Sequence, residues 1–143
     1  MKISIQCFLN KPKKGSKYWA VEIPSLGVHT QGTSKNDAYA MARDAVGVLF
    51  DSIKMSAIEV SDETADGCLI SLPANKEVFS KFLRASRISH NLTIMDMAKR
   101  LNSKSPTSYA RYESGKIMPS MEKFSEILEA LDKRLTPKLV VGG

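Results

Sequence analysis

The chain has 143 residues, 43% hydrophobic and 25% charged, a size and balance that fit one globular domain or two very small ones. No apolar run approaches the roughly 18 residues of a membrane-spanning helix. The start "MKISIQCFLN" lacks the cleavage site of a secretory signal, so a cytoplasmic protein without membrane contact is expected. The net charge of +6 lies in one half: residues 1–75 carry eight basic and eight acidic side chains, residues 76–143 thirteen against seven. A polyanion is therefore the expected partner of the second half.

The first half reads with a period of two. In "KISIQCFL", Ile3, Ile5, Cys7 and Leu9 alternate with Lys2, Ser4, Gln6 and Phe8, which predicts a half-buried strand. The turn "NKPKKGSK" gathers lysines from Lys11 to Lys17, whose role as a partner contact or plain solvent exposure stays open. "YWAVEI" returns as a second strand, "PSLG" turns, and "VHTQG" is a third. The period then lengthens: Ala38, Met41, Ala42, Ala45, Val46, Leu49 and Ile53 mark a helix, with Ser34 and Asp37 as its N-cap pair. "SDETADG" reads as a polar turn holding Asp62, Glu63 and Asp66, and "CLISLP" as a fourth strand reached through the helix. The order is β-β-β-α-β over residues 1–74. Cys7 and Cys68 have no ligand spacing and are expected as buried thiols, with no cofactor or metal.

Residues 75–143 read as all helical. Val78, Phe82, Leu83 and Ile88 line the first helix. Thr93 caps the second, with Asp96 three residues on and Ile94, Met97, Ala98 and Leu101 inward. Ser105 caps a third, Pro106 takes its first position, and Tyr109 and Tyr112 share its inner face. Gly115 ends it, Pro119 blocks continuation, and Ser120 caps a fourth with Phe124, Ile127, Leu128 and Leu131 inward. "RLTPKLVVGG" reads equally as a short strand or a tail.

Two short helices joined by a tight turn, the second with a polar leading end, form a helix-turn-helix, whose second helix enters the major groove. Pro106, Thr107 and Ser108 are the expected leading edge, and Arg111 the base or phosphate contact between the tyrosines. Lys104 and Lys116 are expected on phosphates, with Thr93 at the start of the preceding helix. Glu113 is expected to accept hydrogen bonds from backbone N–H groups within its domain.

"NLTIMDMAKRLNSKSPTSYARYESGKIMPSMEKFSEILEALD" resembles the phage-repressor type of helix-turn-helix. Ile94 stands where that family often has a phosphate-bracing glutamine, and the turn from Leu101 to Ser105 is one residue longer than usual. "VEIPSLGVHTQGTSKNDAYAMARDAV" resembles the HicB antitoxin domain, without the common Pro before Gly27 and with Asp37 for Glu. The double resemblance implies an α+β fold: a small, partly ribonuclease-H-like sheet with one helix, then an all-α DNA-binding domain. It also implies an antitoxin that blocks a HicA-like mRNA interferase toxin and represses its own operon, bound to operator DNA as a homodimer or higher oligomer. The residues that would touch the toxin stay unassigned. A repressor whose first domain only dimerises or senses a ligand is the alternative.

Enzymatic activity is not expected. A metal nuclease needs gathered carboxylates, and the first strand has none. Asp37, Asp44 and Asp51 recur every seven residues on an outer helix face, and His29 and His90 stand apart from any Cys or Ser partner.

Overall fold

A computed structural model of the chain describes residues 1–64, 66–132 and 138–140. Alternation turns into strands where it is strictest. β1 (Lys2–Asn10), β2 (Trp19–Ile23) and β3 (Val28–Gly32) form consecutive antiparallel pairs. The reversal between β2 and β3 uses Gly27 at φ +66°, left-handed backbone that glycine takes without strain. α1 (Lys35–Leu49) follows, then β4 (Glu59–Thr64) and β5 (Gly67–Pro73). The sheet order is β3-β2-β1-β5-β4, and β6 (Lys138–Val140) also pairs with β1, beside Lys2 to Ser4.

Two features differ from the expected β-β-β-α-β order. "EVSDET" is a strand, not part of a turn, so Asp62 and Glu63 lie in β4 and only Asp66 lies in the turn. "CLISLP" then enters the sheet through a hairpin with β4 and runs antiparallel to β1, not directly from the helix. The physical reason is that, among the described residues, β4 pairs only with β5, and an edge strand can carry polar side chains that hide its period. Of the tail, Lys138–Val140 is a strand, while 133–137 and 141–143 lie outside the described residues.

The helix-facing layer of the sheet matches register with burial. Ile3 pairs with Leu72, Ile5 with Ile70 and Cys7 with Cys68, and all six are buried. Both cysteines are free, and the Cys7 thiol is pushed far up by its hydrogen bond with Cys68 and by burial. A thiol so held is a small apolar group and a poor nucleophile. On the opposite layer, Ser4 and Ser71 satisfy each other through a 2.9 Å Oγ–Oγ hydrogen bond.

Ser34 caps α1 by accepting from the Asp37 N–H at 3.0 Å, and the Asp37 carboxylate accepts from the Thr33 N–H at 2.8 Å. The buried stripe is Ala38, Ala42, Val46 and then Phe50, joined by Tyr39. It advances by four, so the i+3 positions Met41 and Leu49 turn outward instead of facing the core as expected, and Ile53 lies past the helix end.

The chain divides into two compact units: Met1–Pro73 with Pro137–Gly143, and Ala74–Thr136. The tail strand thus groups with the sheet and not with the helices of the expected 75–143 domain. The second unit holds α2 (Lys76–Ser89), α3 (Ile94–Arg100), α4 (Thr107–Glu113) and α5 (Met121–Leu131). Phe124 packs edge-on against Phe79, with ring centroids 4.7 Å apart, and lies 6.2 Å from Phe82. The α2 stripe runs through Val78, Phe79, Phe82, Leu83 and Ser86, which turns Ile88 outward at 53% exposure, against the expected inward position.

Gly32 fixes where β3 meets α1. A Cβ there would lie 2.3 Å from the Ala38 backbone nitrogen. Gly32→Ala is expected to displace the first turn of α1 and to destabilise this unit by about 1–3 kcal/mol. Denaturant unfolding of the variant checks this; an unchanged midpoint would show that the helix start yields freely.

Candidate nucleic-acid interface

The surface of α4 is set by what happens at both its ends and on its inner side. α3 ends in a pair of bonds characteristic of a left-handed cap: Asn102 N–H to Lys99 O at 3.1 Å and Ser103 N–H to Ala98 O at 2.9 Å. Asn102 sits at φ +55°, which an Asn tolerates better than most residues. The longer turn is then tied by Ser103 Oγ donating to Ser105 O at 2.8 Å. The N-cap position falls on Pro106, not on Ser105 as expected, and no side chain caps it; Ser105 Oγ accepts from the Thr107 N–H at 3.2 Å, a bond within the turn, because Pro106 already has helical geometry. The helix proper starts at Thr107, with Pro106 already in helical geometry and its carbonyl accepting from Ala110.

The far end repeats the device. Gly115, at φ +76°, donates to Tyr112 O at 3.2 Å and Lys116 to Arg111 O at 3.2 Å. The expected glycine stop is therefore a Schellman cap.

The inner side holds the central ion pair. The Arg87 guanidinium, on α2, grips the Glu113 carboxylate with Nε–Oε2 at 2.8 Å and Nη2–Oε1 at 3.0 Å. Its Nη1 donates to Leu92 O at 2.8 Å. Both side chains are largely buried. Glu113 holds the Arg87 pKa above its ordinary value. Glu113 is thus the partner of an arginine and not, as expected, of backbone N–H groups: a buried carboxylate facing a guanidinium has the stronger, bidentate option. Beside the pair, Tyr109 is buried, and among the described residues its hydroxyl has no hydrogen-bond partner. Burial and the Glu113 charge push its pKa well up, so it stays neutral. Tyr112 is only half-buried, so the two tyrosines do not share the core equally.

Outward from this frame, Thr107, Ser108 and Arg111 are exposed on α4, and Lys104 and Lys116 are exposed at its two ends. Among the described residues, the side chains of Lys104, Arg111 and Lys116 have no hydrogen-bond or ion-pair partner. Lys123 is engaged with Glu126 at 2.9 Å and Arg100 with Ala130 O at 2.8 Å, whereas Lys76, Arg84 and Lys99, outside α4, also have no side-chain partner among the described residues. Thr93 has a different task at the start of α3. Its Oγ1 accepts from the Asp96 N–H and its N–H donates to the Asp96 carboxylate, a complete capping box. These hydrogen bonds with Thr93 also hold the Asp96 carboxyl below its usual range. Between the starts of α3 and α4 lies an open cleft of about 630 Å³, edged by Thr93, Pro106 and Thr107.

His90 is not isolated. Its Nδ1 lies 2.6 Å from Ser86 O and its Nε2 3.3 Å from Asp132 Oδ2, while Ser89 Oγ donates to Ser86 O at 2.8 Å. Nδ1 also lies 3.2 Å from Ser89 Oγ, so His90 has a serine neighbour, contrary to expectation, and both groups converge on the Ser86 carbonyl at the end of α2. Among the described residues no group of three His, Cys, Asp or Glu side chains could hold a metal ion. Nor is any described helix long and apolar enough to cross a membrane.

This arrangement is that of a helix-turn-helix, and the helix-turn-helix family model matches residues 83–137. That segment is a DNA-binding domain of the kind found in transcription regulators. The chain has no significant match among curated proteins or solved structures.

Arg87 was not singled out by the sequence. The available signal was Glu113 itself, a lone acid on a cationic element and four residues after inward Tyr109, which demands a buried cation. Glu113→Ala leaves the Arg87 charge unpaired, and should destabilise the helical unit by about 3–5 kcal/mol. Thermal unfolding of the variant measures it; a loss below about 1 kcal/mol would mean that water replaces the carboxylate.

Proposed function

We propose that the chain is an antitoxin-type transcriptional repressor. Its N-terminal sheet, read as a partly ribonuclease-H-like HicB domain, occludes a HicA-like RNA-cleaving toxin. Its helix-turn-helix holds the operator of its own operon, with Pro106, Thr107, Ser108 and Arg111 toward the bases and Lys104 and Lys116 toward phosphates. A short recognition helix makes few contacts, so a dimer on half-sites about 34–36 Å apart is the working form. The observation that carries this reading is the order of units: three antiparallel strands, with Gly32 seated against α1, stand ahead of a helix-turn-helix.

The alternative, a repressor whose first domain only dimerises, draws support from α1. Met41, Val48 and Leu49 are exposed there, Val48 to 78%, and offer apolar area to a protein of either kind.

Arg111→Ala is expected to weaken operator binding by about 1–3 kcal/mol and to relax preference at one base position. Lys116→Ala should weaken all sequences alike and reduce the log–log salt slope by about one unit. Titrations at several salt concentrations against operator and random duplexes separate the two; equal behaviour of both variants would place Arg111 on phosphate only. Co-expression with a short basic protein encoded beside this chain should yield a purified complex and relieve growth arrest. Free toxin alongside an intact dimer would favour the alternative.

A further inference from the structure

The loop joining β1 to β2 concentrates the positive charge of the sheet-bearing half. "NKPKKGSKY" (10–18) holds Lys11, Lys13, Lys14 and Lys17 and no acidic residue, whereas the other residues of 1–75 carry four basic and eight acidic side chains. All four lysines are exposed, and among the described residues none has a hydrogen-bond or ion-pair partner for its side chain. The backbone holds this charge in a defined shape. Lys13 O accepts from the Ser16 N–H at 2.9 Å with Gly15 at φ +84°, the arrangement of a type II turn. Ser16 Oγ accepts in turn from the Tyr18 N–H at 3.2 Å. A Cβ on Gly15 would meet nothing within 4 Å, so the tip stands in open space.

The side-chain chemistry selects the partner. Lysine is a rotatable point charge suited to phosphate, and it is depleted at protein interfaces. The loop has no arginine, the side chain that grips carboxylates in bidentate fashion, so an acidic protein fits it less well. A single strand would need free ring faces for stacking, and Lys17 already lies 5.5 Å over the Tyr18 ring. We infer that this hairpin is a second nucleic-acid contact, at which Lys11, Lys13, Lys14 and Lys17 bind the phosphates of a duplex without reading its sequence. Because residues 1–75 balance overall, the hairpin grips at close range, within the Debye length of about 8 Å at physiological salt, and does not steer from afar. The inference goes beyond the helix-turn-helix reading, which assigns no DNA contact to the sheet.

The test measures binding of the full chain to a long random-sequence duplex over a series of salt concentrations. Lys13→Gln, at an exposed turn position, should reduce the log–log salt slope by about one unit per bound chain, and Lys13→Gln with Lys14→Gln by about two. Lys54→Gln removes one exposed charge of the same unit outside the hairpin and should leave the slope unchanged. The affinity ratio between a duplex selected by the chain and a random one should hold in the hairpin variants. An unchanged slope in the double variant overturns the inference and leaves the helix-turn-helix as the DNA-binding surface. Equal losses from Lys13→Gln and Lys54→Gln overturn it too, since charge would then act through the whole protein and not at a contact. If Lys13→Gln and Tyr18→Ala weaken only single-stranded oligonucleotides, the hairpin stacks on bases and the duplex assignment falls. An unchanged duplex slope with a weakened hold on polyglutamate would give the hairpin to an acidic protein instead. A chain that binds no duplex overturns this inference and the DNA-binding reading together.

Discussion

The Arg87–Glu113 pair is the constraint on which the helical unit depends. α3 and α4 have seven residues each, too short to persist without tertiary support. One guanidinium supplies that support at three places: it rises from α2, accepts the end of α4 through Glu113, and holds the α2–α3 connection through Leu92 O. Taking two charges out of water is unfavourable, and the bidentate geometry with a third hydrogen bond on the same arginine is what offsets it. Hydrophobic residues of similar volume could fill the space, but they would not fix the rotation of α4 about its axis. Rotation decides whether Thr107, Ser108 and Arg111 face outward. The pair also removes the negative charge of Glu113 from a surface that otherwise attracts polyanions.

The ends of α4 complete what the pair begins. A left-handed Asn102 before it and a left-handed Gly115 after it each satisfy carbonyls that a short helix would leave bare. The extra residue of the turn does not loosen the motif, because Ser103 and Ser105 spend their hydroxyls on the turn and on the first N–H of the helix. The cations then sort by engagement. Arg87 and Arg100 are committed to carboxylate or carbonyl partners within the unit, whereas the exposed side chains of Lys104, Arg111 and Lys116, like those of Lys76, Arg84 and Lys99, have no partner among the described residues. An outward cation with no internal partner can neutralise a phosphate without first breaking a bond, so its full electrostatic gain goes into association.

Local signals were legible and non-local ones were not. Ser34, Thr93 and Ser120 announce helix starts because a cap needs only residues three apart, and the structure shows each of them accepting the expected N–H, whereas the start of α4 shifts from Ser105 to Pro106. The first three strands and their antiparallel pairing were legible from alternation and short turns. β4 was not, because an edge strand with one neighbour need not alternate, and its polar letters imitate a turn. The outward Met41, Leu49 and Ile88 show the limit of apolar periodicity: three- and four-residue steps both fit a helix, and only the neighbouring layer decides which one is buried. Of the candidate site, the exposure of Thr107, Ser108 and Arg111 could be read from the motif, but the role of Arg87 could not. Arg87 lies 26 residues from Glu113, and a single sequence says nothing about which cation meets a buried acid.

The uneven charge of the chain has a consequence for how its two units can recognise anything. The helical unit carries the excess positive charge, so its encounters with DNA are accelerated at long range and weakened by salt. The sheet-bearing half is balanced overall, with its local positive charge confined to the hairpin from Lys11 to Lys17, where Lys17 lies 5.5 Å over the Tyr18 ring. Long-range attraction is therefore weak for that unit, and a partner must be held by shape and apolar area, of which α1 offers Met41, Val48 and Leu49. In its core Cys7 and Cys68 are both buried, and the Cys7 thiol is pushed far up by its hydrogen bond with Cys68 and by burial. Under the proposed function, a salt-sensitive hold on DNA and a salt-tolerant hold on a protein partner would then be released independently.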